Sequence, residues 1–214
     1  MRGDYLDVCV VLPTLNEADS IKDMVRRVRK ASKDYEIYVV DSGSTDGTGR
    51  MAREAGATVI SVGRGKGVAI KKAFSLLNSR RVVLLDSDSS YLPSQIPLLL
   101  RALEGCDAVV GSRFKGRIEK GAMKPLNRAG NLFLTWLAKS LYGIDITDVC
   151  SGFWAFNRKA YKKMEIDAPS FELEANFYVE CARKGLKLSE VTITYRRRKG
   201  KTKLNILDGS RIGL

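Results

Sequence analysis

Histidine is absent from all 214 residues. That removes the side chain most often used as a general base near neutral pH, and the commonest imidazole metal ligand. Acid–base or metal chemistry falls instead to Asp, Glu, Lys or Tyr. Cysteine is sparse, at Cys9, Cys106, Cys150 and Cys181. No two form a Cys-x-x-Cys pair, which argues against zinc and thioredoxin-like chemistry and leaves buried free thiols as the expectation. No window reaches about 18 uninterrupted apolar residues, so no segment reads as membrane-spanning. The opening stretch, MRGDYLDVCVVLPTLNE, lacks a signal peptide's long apolar region and small-residue cleavage site. The folded part is therefore expected on the cytosolic side.

What is present is a hydrophobic content of 44%, enough for one sizeable core. One domain is expected over 1–214, with 1–111 as one half and 112–214 as the other. Charge is lopsided: 37 Lys and Arg stand against 24 Asp and Glu, a net +13. Two windows, 113–128 and 183–203, carry that whole excess. A localised basic surface implies a polyanionic partner, whether nucleic acid, an anionic membrane or a phosphorylated ligand.

Short β-branched runs alternate with amphipathic stretches. The runs are VCVVL (8–12), EIYVV (36–40), ATVISV (57–62), RVVLL (81–85) and DAVV (107–110). Helix-like segments lie near 17–32, 46–55, 66–78 and 94–104, with Asp46 and Ser94 as expected N-caps. This alternation predicts an α/β fold with a mostly parallel sheet flanked by helices. After residue 111 the pattern changes. Residues 112–124 read as a mobile loop, 125–142 as an apolar helix, 170–184 as another helix, and VTITY (191–195) as a strand before a basic tail.

In an open parallel sheet, ligands bind beyond the carboxyl ends of the strands. Three motifs fall there: PTLNE (13–17), VDSGSTDGT (40–48) and DSDSS (86–90). Each alone is compatible with turns and caps, because Asp, Ser and Gly are common in both. Their succession at three strand ends points to one crevice. Asp86 and Asp88, two residues apart on extended backbone, point the same way and can face one hard cation, Mg²⁺ or Mn²⁺, together with substrate phosphates. GRGKG (63–67), with Lys66, precedes a helix and suits phosphate, although it matches neither a P-loop nor a G-x-G-x-x-G fingerprint.

These motifs occur in one order with GSRF (111–114), DVCSGFWAF (148–156) and RRRKGKTKL (196–204). The chain thereby resembles the family 2 glycosyltransferases, and within them the dolichyl-phosphate mannose, glucose and N-acetylglucosamine synthases. The resemblance implies a GT-A-type, Rossmann-like sheet with a membrane-proximal helical and basic C-terminal part. It implies that Pro13, Leu15, Glu17 and Asp41 hold the nucleoside, and that Asp86, Ser87 and Asp88 meet metal and diphosphate. Lys66 and Ser151 join the substrate-binding set. Arg113 resembles the arginine near the donor phosphates or sugar, and Arg128 one near the lipid phosphate. Lys203 and an arginine before Gly200, either Arg197 or Arg198, would close over the phosphates. The chain departs from the family pattern at Ser42, where a second Asp is frequent, and at Ser90, where Gln is frequent. The second departure puts one metal ligand in doubt.

The implied reaction is inverting transfer of a sugar from GDP-mannose, UDP-glucose or UDP-N-acetylglucosamine to dolichyl or another polyprenyl phosphate. A lipid monophosphate is already an anionic nucleophile, so the lack of histidine is no obstacle. The basic clusters would hold two phosphates together. Helix 125–142, either core or interfacial, sits between basic segments and predicts peripheral attachment at the cytoplasmic face of an anionic membrane. Many relatives continue into transmembrane helices, whereas this sequence stops at DGSRIGL. It is therefore expected to be a peripheral enzyme, one with a membrane-anchoring subunit, or part of a longer chain. A saccharide hydroxyl acceptor is the near alternative. A basic nucleic-acid-binding protein is the distant one, and nucleic acid is not the expected partner.

Overall fold

The computed structural model describes residues 7–167 and 173–199. The first half alternates strand and helix: β1 (Val8–Thr14), α1 (Ala18–Ala31), β2 (Glu36–Asp41), α2 (Thr48–Glu54), β3 (Thr58–Ser61), α3 (Lys66–Leu76) and β4 (Arg81–Leu84). A 3₁₀ turn over Pro93–Gln95 and α4 (Ile96–Leu103) lead to β5 (Ala108–Ile118). The remainder is α5 (Pro125–Tyr142), β6 (Trp154–Asn157), α6 (Arg158–Lys163), α7 (Leu173–Arg183) and β7 (Leu188–Tyr195).

The seven strands form one sheet in the order β3-β2-β1-β4-β6-β5-β7. β1 to β4 are mutually parallel, β6 runs antiparallel to both β4 and β5, and β5 pairs parallel with β7. All seven residues of β1 are buried, as its unbroken apolar run requires of a central strand covered on both faces. Its alternation divides the core in two. Cys9 and Val11 face α3, α6 and α7, whereas Val8, Val10 and Leu12 face α1, α2 and α4. Helix α1 buries Ile21, Met24, Val25 and Val28, and α4 buries Ile96, Leu99, Leu100 and Leu103. Both sets follow the one-face helical spacing i, i+3, i+4, i+7. On the opposite face Phe74, Trp154, Phe156 and Phe177 pack edge-on and stacked, with centroids 5.1–6.3 Å apart.

The mostly parallel sheet matches the sequence expectation, and three details differ. The stretch 112–124 is not all loop, because β5 continues to Ile118 beside β7, with an irregularity between Ser112 and Arg117. Gly116 permits this close pairing, since a Cβ there would collide with the Ile193 carbonyl. The division at 111/112 thus falls inside a strand. β6 and α6 are additional elements, too short for periodicity to reveal. Ser94 lies within the 3₁₀ turn and does not cap α4, whose N-cap position is Gln95.

Helix α5 is unlike the others. Pro125 opens it and Gly143, at φ 78°, closes it, the usual asymmetry of helix ends. Of its 18 residues only Thr135 is buried. Leu126, Leu132, Phe133, Trp136 and Leu141 are exposed, Trp136 at 62%. Its outer face is therefore not core, while Thr135 and Ala138 pack inward.

Candidate active site

The sheet changes its direction of growth between β1 and β4, and the loops that follow these two strands border one crevice. Local hydrogen bonds knit the loops together. In the first, Asn16 takes the left-handed conformation at φ 49° and donates its backbone N–H to Ser44 Oγ, 2.8 Å away. Thr45 N–H returns the bond to Asn16 Oδ1 at 2.9 Å, and Glu17 N–H donates to Thr48 Oγ1 at 2.9 Å. Asp46 ties two helix starts together, accepting from Ala18 N at 3.1 Å and from Thr48 N at 3.0 Å. It is not the N-cap expected from the sequence, because Gly47 holds that position in α2; Asp46 braces the helix start from one residue earlier. Across the crevice, Ser87 Oγ donates to the Pro13 carbonyl at 3.0 Å.

This framework holds four of the expected carboxylates. Asp41 ends β2, is 8% exposed and accepts from Ser44 N at 2.9 Å. Gly49 gives it room, since a Cβ there would come within 2.9 Å of Asp41 Oδ2. Glu17 is 7% exposed, beside the buried Pro13 and the partly exposed Leu15. Asp88 is 8% exposed, and its Oδ1 accepts from Ser90 N at 2.9 Å and from Ser90 Oγ. Ser90 therefore orients Asp88. Burial, and then the neighbouring Asp86 carboxylate, push the Asp88 carboxyl above its ordinary range, against the pull of Ser90 and Arg198. Asp86 lies against Gly152, where a Cβ would meet the carboxylate carbon at 2.8 Å. Gly152 is itself fixed by its N–H bond to Tyr91 Oη at 2.7 Å.

The donor set fits a hard divalent cation of the Mg²⁺ or Mn²⁺ kind. Two carboxylates from one strand end repel each other, and that repulsion is what a cation relieves. Such ions are commonly bound by one or two carboxylates plus substrate phosphates. No cluster of three Asp, Glu or Cys ligands occurs among the described residues, so substrate oxygens would have to complete the shell.

The structure separates the two candidate closing arginines. Arg198 reaches inward, with Nη2 at 3.3 Å from Glu17 Oε1 and Nη1 at 3.6 Å from Asp88 Oδ2. Its buried Nε has no hydrogen-bond partner among the described residues. An unmatched buried donor between two site carboxylates suits an incoming anion. Arg197 turns the other way, bonding through Nε to the Lys120 carbonyl at 2.7 Å and through its backbone to Glu119 at 3.0 Å. Lys199 continues the inward path, its N–H donating to the Asp88 carbonyl at 2.8 Å. Lys203 lies outside the described residues.

Other expected site residues are engaged elsewhere. Arg113 is 5% exposed and grips Asp148 with Nε and Nη2, both at 2.7 Å, beneath the ring of Tyr195 at 5.3 Å. Ser151 is fully buried, and its hydroxyl donates to the Gly111 carbonyl at 2.6 Å. Arg128 sits exposed on the first turn of α5. Lys66 does enter the crevice, with Nζ at 2.6 Å from Asp86 Oδ1 and 2.5 Å from Glu174 Oε1. Burial works against its charge, but the two carboxylates outweigh burial and raise its pKa. Glu174 was invisible in the sequence because a lone acid at a helix start reads as an ordinary dipole-favoured residue. Asp148 stood within a recognised motif, yet only the fold reveals its bidentate grip on Arg113.

Comparison with known proteins agrees with this geometry. Glycosyltransferase AglJ of Haloferax volcanii is 37% identical over 191 residues, which cover 88% of this chain and 62% of that protein. This chain thus spans less than two thirds of that relative's length. A dolichyl-phosphate hexose transferase of the same organism is 34% identical over 207 residues, covering 95% of this chain and 89% of the relative. Among solved structures, glucosyl-3-phosphoglycerate synthase from Mycobacterium tuberculosis, in complex with Mn²⁺, UDP-glucose and phosphoglyceric acid, superimposes with a TM-score of 0.79. That match is 26% identical and covers 96% of this chain and 76% of the other. The sheet is accordingly of the GT-A type. Residues 9–165 match the family described as Glycosyl transferase family 2, and with relatives this similar along nearly its whole length, the chain belongs to that family.

Proposed function

We propose that this chain catalyses inverting transfer of a hexose from a nucleoside diphosphate sugar to the phosphate of a long-chain isoprenoid lipid, dolichyl or another polyprenyl phosphate. The observation that carries the reading is Arg198 lying between Glu17 and Asp88 while Lys66 pairs with Asp86, at the crevice between β1 and β4. Pro13, Leu15, Glu17 and Asp41 line the side suited to the nucleoside. The unmatched Nε of Arg198 supports its reading as a contact to the donor phosphates. A divalent cation held by Asp86 and Asp88 would neutralise charge on the departing diphosphate. The acceptor oxygen attacks the anomeric carbon as the bond to the diphosphate breaks, so an α-linked donor gives a β-linked product. No proton need be removed from a phosphate that is already anionic. Positioning and electrostatics supply the acceleration.

The lipid acceptor is favoured over a soluble one by α5. Its exposed Leu126, Leu132, Phe133 and Trp136 follow a basic segment and share the helix with Arg128. An apolar helix face with a basic rim suits the interface of an anionic bilayer, and would bring a lipid phosphate near Arg128. No helix among the described residues is long and apolar enough to cross a membrane. We read attachment through α5 as peripheral, at the cytoplasmic face, whether or not a membrane-anchoring subunit assists.

A transfer assay tests the reading. GDP-mannose, UDP-glucose and UDP-N-acetylglucosamine are each offered with short-chain polyprenyl phosphate, phosphoglyceric acid or a free sugar, with Mg²⁺ or Mn²⁺. Transfer to the lipid phosphate alone, in one donor series, is expected, with a β anomeric coupling in the product. Transfer to phosphoglyceric acid or free sugar instead would assign a hydroxyl acceptor, and an α-linked product would refute single displacement.

A further inference from the structure

Lys66 is shared between two carboxylates that reach it from separate parts of the fold. Asp86 follows β4, and Glu174 opens α7 on the far side of the lysine. The Glu174 side chain is 11% exposed, so its contact with Lys66 is shielded from water. Asp86 is confined from the other side by Gly152, whose missing Cβ is the space it uses. Asp86 thus has little freedom to move away, whereas Lys66 is a compact charge on a flexible stem. One oxygen of Asp86 already serves an ammonium, and a divalent cation entering on the same carboxylate would be repelled by it. Expelling Lys66 into the crevice unpaired would be costly, because a partly buried charge without a partner is strongly disfavoured.

We propose that Glu174 is a positioning residue that takes Lys66 over from Asp86 when the cation and the donor diphosphate bind, so that Asp86 exchanges one positive partner for another. The proposal rests on the cation-and-donor reading above. Glu174 touches neither the donor nor the cation in this scheme; it acts through Lys66. The relay explains why a lysine can stand on a carboxylate needed for the cation without blocking it.

A double-mutant cycle on Mn²⁺ affinity tests the relay. Mn²⁺ is titrated by electron paramagnetic resonance of the free ion, with UDP and separately with GDP present, into the full chain. The proteins are the parent, Glu174→Gln, Glu174→Asp, Lys66→Gln and the two double variants, each with a thermal melt beside it. With Lys66 present, both Glu174 variants should weaken Mn²⁺ binding, Glu174→Gln by on the order of tenfold and Glu174→Asp by less. Glu174→Asp keeps the charge and shortens the reach, so an effect from it reports position. In the Lys66→Gln background neither Glu174 variant should change Mn²⁺ affinity by more than about twofold. A charge acting only through space would make Glu174→Gln equally harmful in both backgrounds and Glu174→Asp harmless in both, and either result overturns the relay. If Glu174→Gln fails to fold, the Glu174→Asp cycle separates the same two outcomes. A parent that binds Mn²⁺ while the cycle is additive overturns the relay alone, whereas a parent that binds no Mn²⁺ with either nucleotide overturns the cation reading with it.

Discussion

The crevice and helix α5 treat similar chemical problems in opposite ways. The crevice gathers carboxylates, an unfavourable set to bury, and nearly encloses them: Glu17, Asp41, Asp88 and Glu174 are all at or below 9% exposed. It can do so because each has named partners, from the Ser44 and Ser90 N–H groups to Lys66 and Arg198. Helix α5 does the reverse and leaves large apolar side chains outside. The two tryptophans of the chain make the contrast plain. Trp154 is fully buried, with its indole N–H bonded to the Ser151 carbonyl at 2.6 Å, whereas Trp136 is 62% exposed and lies against Phe133 with ring centroids 5.9 Å apart. A structure that buries charge and exposes tryptophan has placed both for something other than stability.

Substitutions can break this contrast, and the largest effect is expected in the crevice. Asp88→Ala should lower sugar transfer by on the order of 10³-fold while the circular dichroism spectrum stays native. Burial and the Asp86 carboxylate hold the Asp88 carboxyl above its ordinary pKa, so relief of that burden offsets the lost Ser90 and Arg198 contacts. Full transfer by the folded variant would remove Asp88 from the chemistry.

The paired arginines sharpen the comparison on a finer scale. Arg198→Ala should weaken UDP or GDP binding by calorimetry by about tenfold, a charge-assisted hydrogen bond's worth. Arg197→Ala, which gives up an outward bond to the Lys120 carbonyl, should change it less than about twofold. The reverse ranking would mean that the tail turns over when ligand binds.

A smaller effect is expected at Asp46, which helps close the crevice without lining it. Asp46→Asn gives up the acceptor for the Ala18 N–H, which should cost roughly 0.5–1 kcal/mol in denaturant melts near neutral pH at this exposed position. Burial works to raise the Asp46 carboxyl, but hydrogen bonds from Thr48 and Ala18 outweigh it and hold the pKa down. Its contribution is therefore complete above the ordinary carboxylate value of about 4 and is lost as pH falls through the lowered one. The gap between parent and variant should close in that acid window. A gap independent of pH would assign the loss to geometry alone.

The smallest effect on stability belongs to α5. Replacing Phe133 and Trp136 together by Ser should shift stability by less than about 0.5 kcal/mol, as exposed positions do. The same variant should lose the salt-resistant part of its co-sedimentation with anionic liposomes and keep only the part that salt screens. A folded variant that still co-sediments in high salt like the parent would free α5 from the membrane role, and an unfolded one would return it to the core.

Much of the fold was legible because its signals are local. The runs at 8–12, 36–40 and 81–85 are strands, and the spacing of Ile21, Met24, Val25 and Val28 marks a helix. The ends of β1, β2 and β4 could be named as the bearers of the crevice because the strand-end rule needs no distant contact. The extended backbone expected at Asp86 and Asp88 was wrong: β4 stops at Leu84 and the chain bends over 87–89, with Ser89 at φ 68°. The continuation of β5 past residue 112 was not legible, since its pattern makes sense only beside β7, some 80 residues later. Nor was β6, four residues long.

The same division runs through the site. Sequence alone determined which carboxylates and cations are available, and that histidine takes no part. Tertiary structure decided which of them meet. It turned Arg198 inward and Arg197 outward, although the two are neighbours with the same side chain. It joined Glu174 to Lys66 across 108 positions and locked Arg113 onto Asp148 across 35. It also set α5 at the edge of the core, touching it through Thr135 and Ala138 and leaving Phe133 and Trp136 outside, where composition by itself had allowed burial or exposure. The physical reason is range: propensity and periodicity act within a few residues, while ion pairs and packing depend on what the folded chain brings within a few ångströms.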